Sequence, residues 1–147
     1  MKRFVLEINR KLNYLSWVAL VLFALACGSG SSNSNTTSNI DTLSSSGECI
    51  SCDFKAVNLE SRTFRDVNLR NADFTEANLN NTDFRGSDMK NAIFRNASMR
   101  NIDLTNADLS GADLSFADAV GAKLDNTNFS GATVNGIKLS AGVNITP

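Results

Sequence analysis

Histidine is absent from the 147 residues, and proline, tryptophan and tyrosine each occur only once. Without an imidazole, the chain has no histidine base or histidine metal ligand, which excludes Ser–His and Cys–His nucleophile systems and most zinc sites. The aromatic content of 7% and the net charge of -1 leave little for base stacking or phosphate neutralisation. No acid–base pair and no phosphate-binding glycine loop stand out. We therefore expect no catalytic residue, no metal site, no cofactor and no nucleic-acid partner.

The first feature that is present is a short apolar run near the start of the chain. Residues 15–26 carry no charge and follow a basic segment that contains Lys2, Arg3, Arg10 and Lys11. Twelve helical residues span about 18 Å, which is less than the roughly 30 Å hydrocarbon core of a bilayer. The run therefore predicts the apolar region of a signal peptide rather than a membrane span.

The apolar run ends in Ala24-Leu25-Ala26-Cys27, which resembles the lipobox of bacterial lipoproteins. The resemblance implies that residues 1–26 are a signal peptide, that cleavage occurs before Cys27 and that Cys27 carries the lipid. Several acyl chains, at about 0.8 kcal/mol per buried methylene, would hold the protein on a membrane. Two alternatives remain open: an ordinary signal peptide cut after Ala26, and an uncleaved anchor.

The segment after the lipobox is rich in small polar residues. Residues 28–39 are almost entirely Gly, Ser, Asn and Thr, so we expect residues 27–48 to form a flexible tether behind the lipidated cysteine. Removal of the signal leaves 10 basic and 14 acidic residues, a net charge of -4. By analogy with lipoproteins that lack Asp after the cysteine, Gly28 favours the outer membrane of the bacterial envelope if the host has one.

From Cys52 onward the sequence repeats every five residues. The centres of 18 consecutive units, over residues 52–141, are apolar: Phe54, Leu59, Phe64, Leu69, Phe74, Leu79, Phe84, Met89, Phe94, Met99, Leu104, Leu109, Leu114, Ala119, Leu124, Phe129, Val134 and Leu139. Apolar residues five positions apart would not lie on one face of a helix, nor on one face of a straight strand. In most units the residue two positions earlier is also small or apolar, and Asn or Gly follows two positions later in 12 units. Those two residues tolerate positive φ, so the pattern predicts a short inward strand, a turn and another inward strand.

Ala-Asp-Leu-Ser-Gly at 107–111 and Ala-Asp-Phe-Thr-Glu at 72–76 resemble the units of pentapeptide repeat proteins. The resemblance implies an all-β, right-handed quadrilateral β-helix, with four units to a coil and about 4.5 coils. We place this domain at residues 49–141, followed by a tail or cap at 142–147. Residues 20 apart should then stack, with Phe54, Phe74 and Phe94 on one side and Phe64 and Phe84 on the opposite side.

Two cysteines, Cys49 and Cys52, lie where the repeats begin. A cysteine pair before the first units also occurs in many proteins of the family that the repeats resemble. Outside the cytoplasm such a pair favours a local disulfide that fixes the start of the first coil. The residues alone leave open a thioredoxin-like redox pair, a zinc site and free thiols.

Aspartate recurs one position before the centre of many units. At that position it should face outward and bond to nearby turn backbone. Stacked pairs such as Asp83 and Asp103 leave open a cation site. Beside them, Arg65, Arg70, Arg85 and Lys90 should form a stripe on two adjacent sides, which we call the basic stripe. Like charges one strand apart are unfavourable unless an anion is near, so the stripe suggests an anionic lipid or glycan partner. Neutralisation by Asp66, Asp83 and Asp88 is the alternative.

One unit breaks the pattern of the repeat. Its centre is only Ala119, while Phe116 and Val120 fall at outward positions. Either Phe116 and Val120 form an exposed contact for a protein partner, or the backbone bulges and Phe116 fills the space that Ala119 leaves.

The features together favour a lipid-anchored envelope protein whose β-helix is a non-enzymatic binding or scaffold surface. One alternative is a gyrase-interacting DNA mimic, a role found in some proteins of the family that the repeats resemble. That role needs a cytoplasmic location, which the export signal opposes, and usually a strongly acidic face, which a mature charge of only -4 opposes. The other alternative is an envelope enzyme. The oligomeric state does not follow from the residues.

Overall fold

A computed structural model describes residues 34–147 of the chain. It begins with one α-helix, Ser34–Ser46, which we label α1. From Glu48 to Lys138 the described chain consists of short extended pieces joined by turns. Its β structure there is made of isolated parallel bridges rather than of longer strands.

The bridges establish how many units make one coil. All 15 of them join residues that are 20 positions apart, from Glu48 with Asn68 to Asp118 with Lys138. Four pentapeptides therefore separate each residue from its neighbour in the next coil, which confirms the predicted stacking. The coils are held by backbone hydrogen bonds such as Phe54 N–H to the Asp73 carbonyl, 2.8 Å, and Asp73 N–H to the Cys52 carbonyl, 2.9 Å.

A tight turn links each inward piece to the next. In the first unit the N–H of Val57 donates to the carbonyl of Phe54 at 3.2 Å, and Ala56 between them has a φ of 52°. The predicted Asn and Gly turn residues all have positive φ, as expected for residues that adopt this conformation at low cost. Other residue types also occupy this position, and Phe116 is one of them.

The interior is a column of stacked side chains. Phe54 and Phe74 stack with ring centroids 4.9 Å apart, and Phe74 and Phe94 stack at 5.2 Å. On the opposite wall Phe64 stacks on Phe84 at 5.6 Å, and Phe84 meets Phe74 edge to face across the interior at 6.0 Å. Close aromatic stacking of this kind adds to the apolar burial that stabilises each coil on its neighbour.

Three hydroxyl side chains replace alanine on the inner wall without leaving a polar group unpaired. Thr82 donates to the carbonyl of Leu59 at 2.9 Å, and Ser87 donates to that of Phe64 at 3.1 Å. Thr127 makes the same bond to Leu104 at 2.8 Å. In each case the acceptor carbonyl lies 23 residues earlier in the sequence. Among the described residues no buried side-chain nitrogen or oxygen lacks a hydrogen-bond partner.

The prediction of a flexible tether was wrong for residues 34–46, which form α1. The side chain of Leu43 is 1% exposed, and Ile40 packs against the same core. Asn39 donates from its amide to the carbonyl of Asp53 at 3.0 Å. These three residues share one side of the helix, so the end of the first coil supplies the apolar surface that this otherwise polar segment lacks. Gly47 ends α1 with a φ of 72° and donates its N–H to the Leu43 carbonyl at 3.0 Å.

The C-terminal tail, residues 142–147, has two large apolar residues that differ in burial. Ile145 packs against the core, whereas Val143 is exposed. The tail turns on a hydrogen bond from the Val143 N–H to the Ser140 carbonyl at 3.2 Å. One apolar side chain of the tail therefore packs on the solenoid.

Candidate functional site

The outward aspartates first serve the turns of their own units. Oδ1 of Asp73 accepts the backbone N–H of Thr75 at 3.0 Å, and Oδ1 of Asp113 accepts that of Ser115 at 3.0 Å. Where asparagine takes the same position, as Asn128 does before Ser130, it accepts the same bond at 3.1 Å. This is the predicted bonding to nearby backbone, and it fixes one carboxylate oxygen while leaving the other available.

The second carboxylate oxygen pairs with a cation from the preceding coil. Arg95 Nε lies 2.5 Å from Oδ2 of Asp113, and Arg100 Nη2 lies 2.7 Å from Oδ2 of Asp118. In both pairs the aspartate follows the arginine by 18 residues. The cation lies one position after the centre of its unit. The aspartate lies one position before the centre of the unit in the next coil, and the two centres are 20 residues apart. The pairs with this spacing are Lys55–Asp73, Arg65–Asp83, Arg70–Asp88, Arg85–Asp103, Lys90–Asp108, Arg95–Asp113 and Arg100–Asp118.

The basic stripe belongs to this ladder of ion pairs. Arg85 lies 2.8 Å from Asp83 and 3.9 Å from Asp103, and Lys90 Nζ lies 3.5 Å from Asp88 and 3.2 Å from Asp108. Arg65 and Arg70 pair with Asp83 and Asp88. These contacts favour neutralisation within the solenoid, the alternative to an anionic partner, through Asp83 and Asp88. Asp66, the third carboxylate of that alternative, forms no ion pair among the described residues. An anionic lipid or glycan is not needed to offset stacked like charges, because carboxylates lie between them.

The same contacts lower the pKa of several carboxyls. Hydrogen bonds from Arg85 and then Arg65 hold the pKa of Asp83 well below its usual value against the opposing effect of burial. The Arg100 guanidinium lowers the pKa of Asp118 in the same way. At Asp103, burial alone would raise the pKa, and bonds from Thr105 and Lys123 outweigh it. These carboxylates are therefore fixed anions of the structure rather than candidates for proton transfer.

The cysteine pair closes the start of the first coil beneath α1. Cys49 and Cys52 form a disulfide, with sulfurs 2.00 Å apart, and both side chains are buried. The Cys49 sulfur lies 3.7 Å from the carbonyl oxygen of Asn39 on the helix. The pair therefore lies in the core where the helix meets the repeats. Within residues 34–147 no cluster of three metal-ligating side chains is found.

Phe116 and Val120 form an exposed apolar corner, which we call the Phe116–Val120 corner. Their side chains are 65% and 40% exposed. The alternative of a bulge that turns Phe116 into the interior is wrong, because Ala119 itself is buried at the centre position and keeps the backbone hydrogen bonds of a regular unit. Phe116 instead occupies the turn position with a φ of 61°.

The ring of Phe116 is seated on the next coil. Gly136 stands 20 residues later in the same column of turn residues, and a Cβ there would lie 2.6 Å from Cδ1 of Phe116. The ring therefore lies against glycine backbone on one side and faces solvent on the other. Between the two apolar side chains, Asp118 accepts Arg100 at 2.7 Å and the Val120 N–H at 3.4 Å. The Phe116–Val120 corner thus lies beside the Arg100–Asp118 ion pair.

A family model described as the pentapeptide repeat region matches residues 48–124, more than half of the chain. The chain belongs to the pentapeptide repeat family. No protein of curated function matches it in sequence.

Two solved structures support the fold of this pentapeptide repeat protein. One is a pentapeptide repeat protein from the cyanobacterium Cyanothece 51142, with 22% identity, a TM-score of 0.59 and coverage of 70% of this chain and 98% of that one. The other comes from the thylakoid lumen of Arabidopsis thaliana, with 26% identity, a TM-score of 0.60 and coverage of 75% and 72%. QnrB1, a plasmid-mediated fluoroquinolone resistance protein, matches at 16% identity with a TM-score of 0.30, over 64% and 80% of the two chains. That value is too low to transfer any role.

The repeat pattern of this pentapeptide repeat protein predicts the stacked residues, and it leaves open both the exposed corner and neutralisation of the basic stripe by Asp83 and Asp88. It does not by itself predict the ladder of ion pairs along the solenoid. Stacking at a spacing of 20 brings like charges together, whereas the ion pairs join residues that are 18 positions apart. The signal was present, because every Lys or Arg directly after a centre between residues 55 and 100 has an Asp 18 positions later. The diagonal spacing of 18 residues between neighbouring coils therefore marks the ladder in the sequence.

Cys27, the predicted lipidation site, lies outside the described residues, as do the signal peptide and the first part of the predicted tether. In the part of the chain that the structure describes, no helix is both long and apolar enough to span a membrane.

Proposed function

We propose that this pentapeptide repeat protein is a lipid-anchored protein of the bacterial envelope whose solenoid is a non-enzymatic binding surface. In this proposal the solenoid is right-handed, with about 4.5 coils, Cys27 carries the lipid, and the Phe116–Val120 corner is the contact for a protein partner. Support for the anchor comes from the basic start, the charge-free run at residues 15–26 and the lipobox-like ending at Cys27.

The observation that carries the binding proposal is the conformation of Phe116. A bulky side chain in the left-handed region is unfavourable, by about 1–3 kcal/mol for a non-glycine residue in a sparsely populated backbone region. The turn residue one coil earlier in the same column is Asn96, and the one after is Gly136, both of which tolerate positive φ. Ala56 and Glu76 also adopt positive φ in this column, so Phe116 stands out because it is a bulky aromatic residue and is mostly exposed. Departures of this kind concentrate at functional sites.

The surroundings of the ring suit a protein contact. Large aromatic side chains that enter a partner's pocket supply much of the energy of many protein interfaces, and a polar rim sets their orientation. Here Gly136 supports the ring from below, and the Arg100–Asp118 pair provides a fixed polar rim beside Val120. The corner therefore presents a rigid apolar anchor that needs little reorganisation on binding.

Site-specific photocrosslinking tests the proposal in living cells. A photoreactive phenylalanine analogue is placed at Phe116 and, as the matched control, at Asn96, which occupies the same column one coil earlier. We expect a discrete heavier adduct from position 116, no such adduct from position 96, and loss of the adduct in the Cys27→Ser variant that cannot be lipidated. Identical patterns from both positions, or no adduct from either, would remove the corner from the proposal.

A further inference from the structure

Two lysines lie where the ladder of ion pairs otherwise places an aspartate. The ladder joins a Lys or Arg directly after one centre to the Asp 18 positions later, directly before a centre of the next coil. Lys123 and Lys138 take that second position, and the residues 18 positions before them are Thr105 and Val120. The ladder therefore supplies neither lysine with a carboxylate.

The two lysines differ in the aspartate that stands 20 residues earlier in the same column. Lys123 Nζ lies 3.3 Å from Oδ2 of Asp103 and so forms an ion pair. Lys138 stacks on Asp118, but Oδ2 of Asp118 already accepts Arg100 through Nε at 2.9 Å and Nη2 at 2.7 Å. Oδ1 of that aspartate accepts a backbone N–H. Lys138 is therefore exposed and has no ion pair among the described residues.

The backbone holds Lys138 beside the Phe116–Val120 corner. The Lys138 N–H donates to the Ala117 carbonyl at 2.9 Å, and its carbonyl accepts the Ala119 N–H at 2.8 Å. These two alanines come directly after Phe116 and directly before Val120, so Lys138 is fixed on the coil next to both exposed apolar residues. A cation without a carboxylate thus lies next to the apolar anchor of the proposed contact.

We infer that the protein partner of the Phe116–Val120 corner contributes an aspartate or a glutamate that pairs with Lys138. The inference rests on the proposed function and names the chemistry that the partner needs. One unpaired cation beside an apolar anchor is complementary to one carboxylate beside an apolar pocket. An anionic lipid surface is disfavoured, because such surfaces are recognised by clusters of about 4–8 Lys or Arg. The neighbouring Arg95 and Arg100 are already paired with aspartates.

The photoreactive residue at position 116 reports on this pairing. Lys138→Glu should lower the yield of the crosslinked adduct at least about tenfold, because it places like charges opposite each other in the contact. Lys138→Arg keeps the charge and should keep the adduct. The matched control is Lys123→Glu, which makes the same charge change at the same position three units earlier and should leave the yield unchanged. An adduct that persists undiminished in Lys138→Glu, or that is lost equally in Lys138→Arg, overturns the inference and leaves the proposed function standing.

A zero-length coupling tests the wild-type chain and is independent of how the variants fold. A water-soluble carbodiimide activates a carboxylate, Lys138 Nζ attacks its carbonyl carbon, and an amide bond forms while the carboxylate oxygen leaves with the carbodiimide as a urea. In membranes isolated from cells, mass spectrometry should find Lys138 joined to an Asp or Glu of the protein that photocrosslinks at position 116. The product should be absent in Lys138→Arg, because a guanidinium does not couple.

The outcomes separate failure of this inference from failure of the proposed function. A photocrosslinked adduct at position 116 without a carbodiimide product at Lys138 overturns the inference alone, and the lysine then meets lipid, glycan or solvent instead of a protein carboxylate. Absence of the photocrosslinked adduct from the chain with Lys138 intact removes the corner from the proposed function, and the inference fails with it.

Discussion

Arg65 Nε lies 2.7 Å from Oδ2 of Asp83, the residue 18 positions later and one coil further along the solenoid. The same carboxylate accepts Arg85 from its own unit at 2.8 Å. One aspartate thus joins two arginines that would otherwise face each other as like charges. Repetition of this contact forms a ladder of ion pairs on the outer surface, which places a carboxylate between arginines that would otherwise stack as like charges.

Acid should destabilise the protein only well below neutral pH. Because folding lowers the pKa of Asp83, Asp103 and Asp118, their stabilisation is fully present above the usual carboxyl pKa of 3.8 and is lost as the pH falls through the lower folded-state values. We expect thermal midpoints that are nearly constant down to about pH 5 and fall below about pH 4. Asp83→Asn should flatten this decline, and Arg85→Gln should flatten it less. A decline centred near pH 6 would contradict this assignment.

Gly136 should tolerate alanine less well than another turn glycine does. Both Gly131 and Gly136 have positive φ, but a Cβ at Gly131 meets nothing within 4 Å, whereas one at Gly136 meets the Phe116 ring. We expect Gly131→Ala to cost about 1 kcal/mol from backbone strain and Gly136→Ala to cost about 2–3 kcal/mol, measured by urea unfolding. In the Phe116→Ala background the two costs should become equal. If they remain different, the ring does not rest on Gly136.

Replacement of Phe116 should separate binding from stability. Because the ring lies outside the core, Phe116→Asn should not lower the free energy of unfolding by more than about 0.5 kcal/mol. Relief of the backbone strain, about 1–3 kcal/mol, should offset the contact with Gly136 that is lost. Phe94→Ala, which removes a fully buried stacked ring, should cost about 3–5 kcal/mol. When the photoreactive residue is placed at a second position, the crosslinked partner should be lost in the Phe116→Asn variant. A large loss of stability in Phe116→Asn would make the ring a core residue and remove the reason to assign it a partner.

Removal of the Leu43 side chain should open the N-terminal end of the solenoid. Leu43 is fully buried between α1 and the first coil, so Leu43→Ala should cost about 2–4 kcal/mol or detach the helix. Ser44→Ala, a neighbouring exposed position, should have little effect. Hydrogen exchange should show early loss of protection at Cys49 and Ser51, whose N–H groups bond to Asn68 and Arg70. Unchanged protection there would mean that α1 is not needed to hold the first coil.

The sequence was sufficient to predict the interior and the turns, because both follow from a strict repeat. The pairing of Phe54 with Phe74 and the positive φ of Gly86 are direct consequences of the five-residue period and the 20-residue coil. The helix α1 was not predictable from local pattern. Its segment has two apolar residues, Ile40 and Leu43, and becomes helical against a surface that exists only once the first coil has formed.

The outward contacts were only partly predictable for a related reason. The alternation of faces places Phe116 and Val120 outside. The contact of the Phe116 ring with Gly136, however, depends on the direction in which the side chain packs against the next coil. The link between Arg95 and Asp113 likewise depends on a diagonal contact between coils, which a column-by-column reading of the repeat does not include. Prediction of contacts between neighbouring coils therefore requires the relative positions of side chains on the two coils as well as the five-residue period.

The location of the protein is the central claim, because it decides where a partner must be sought. The most direct measurement is the intact mass of the protein from separated membrane and soluble fractions of cells, beside the Cys27→Ser variant. The account predicts a membrane species that begins at Cys27 and carries added acyl mass, with the variant left without that mass. A soluble species that still begins at Met1 would contradict the account.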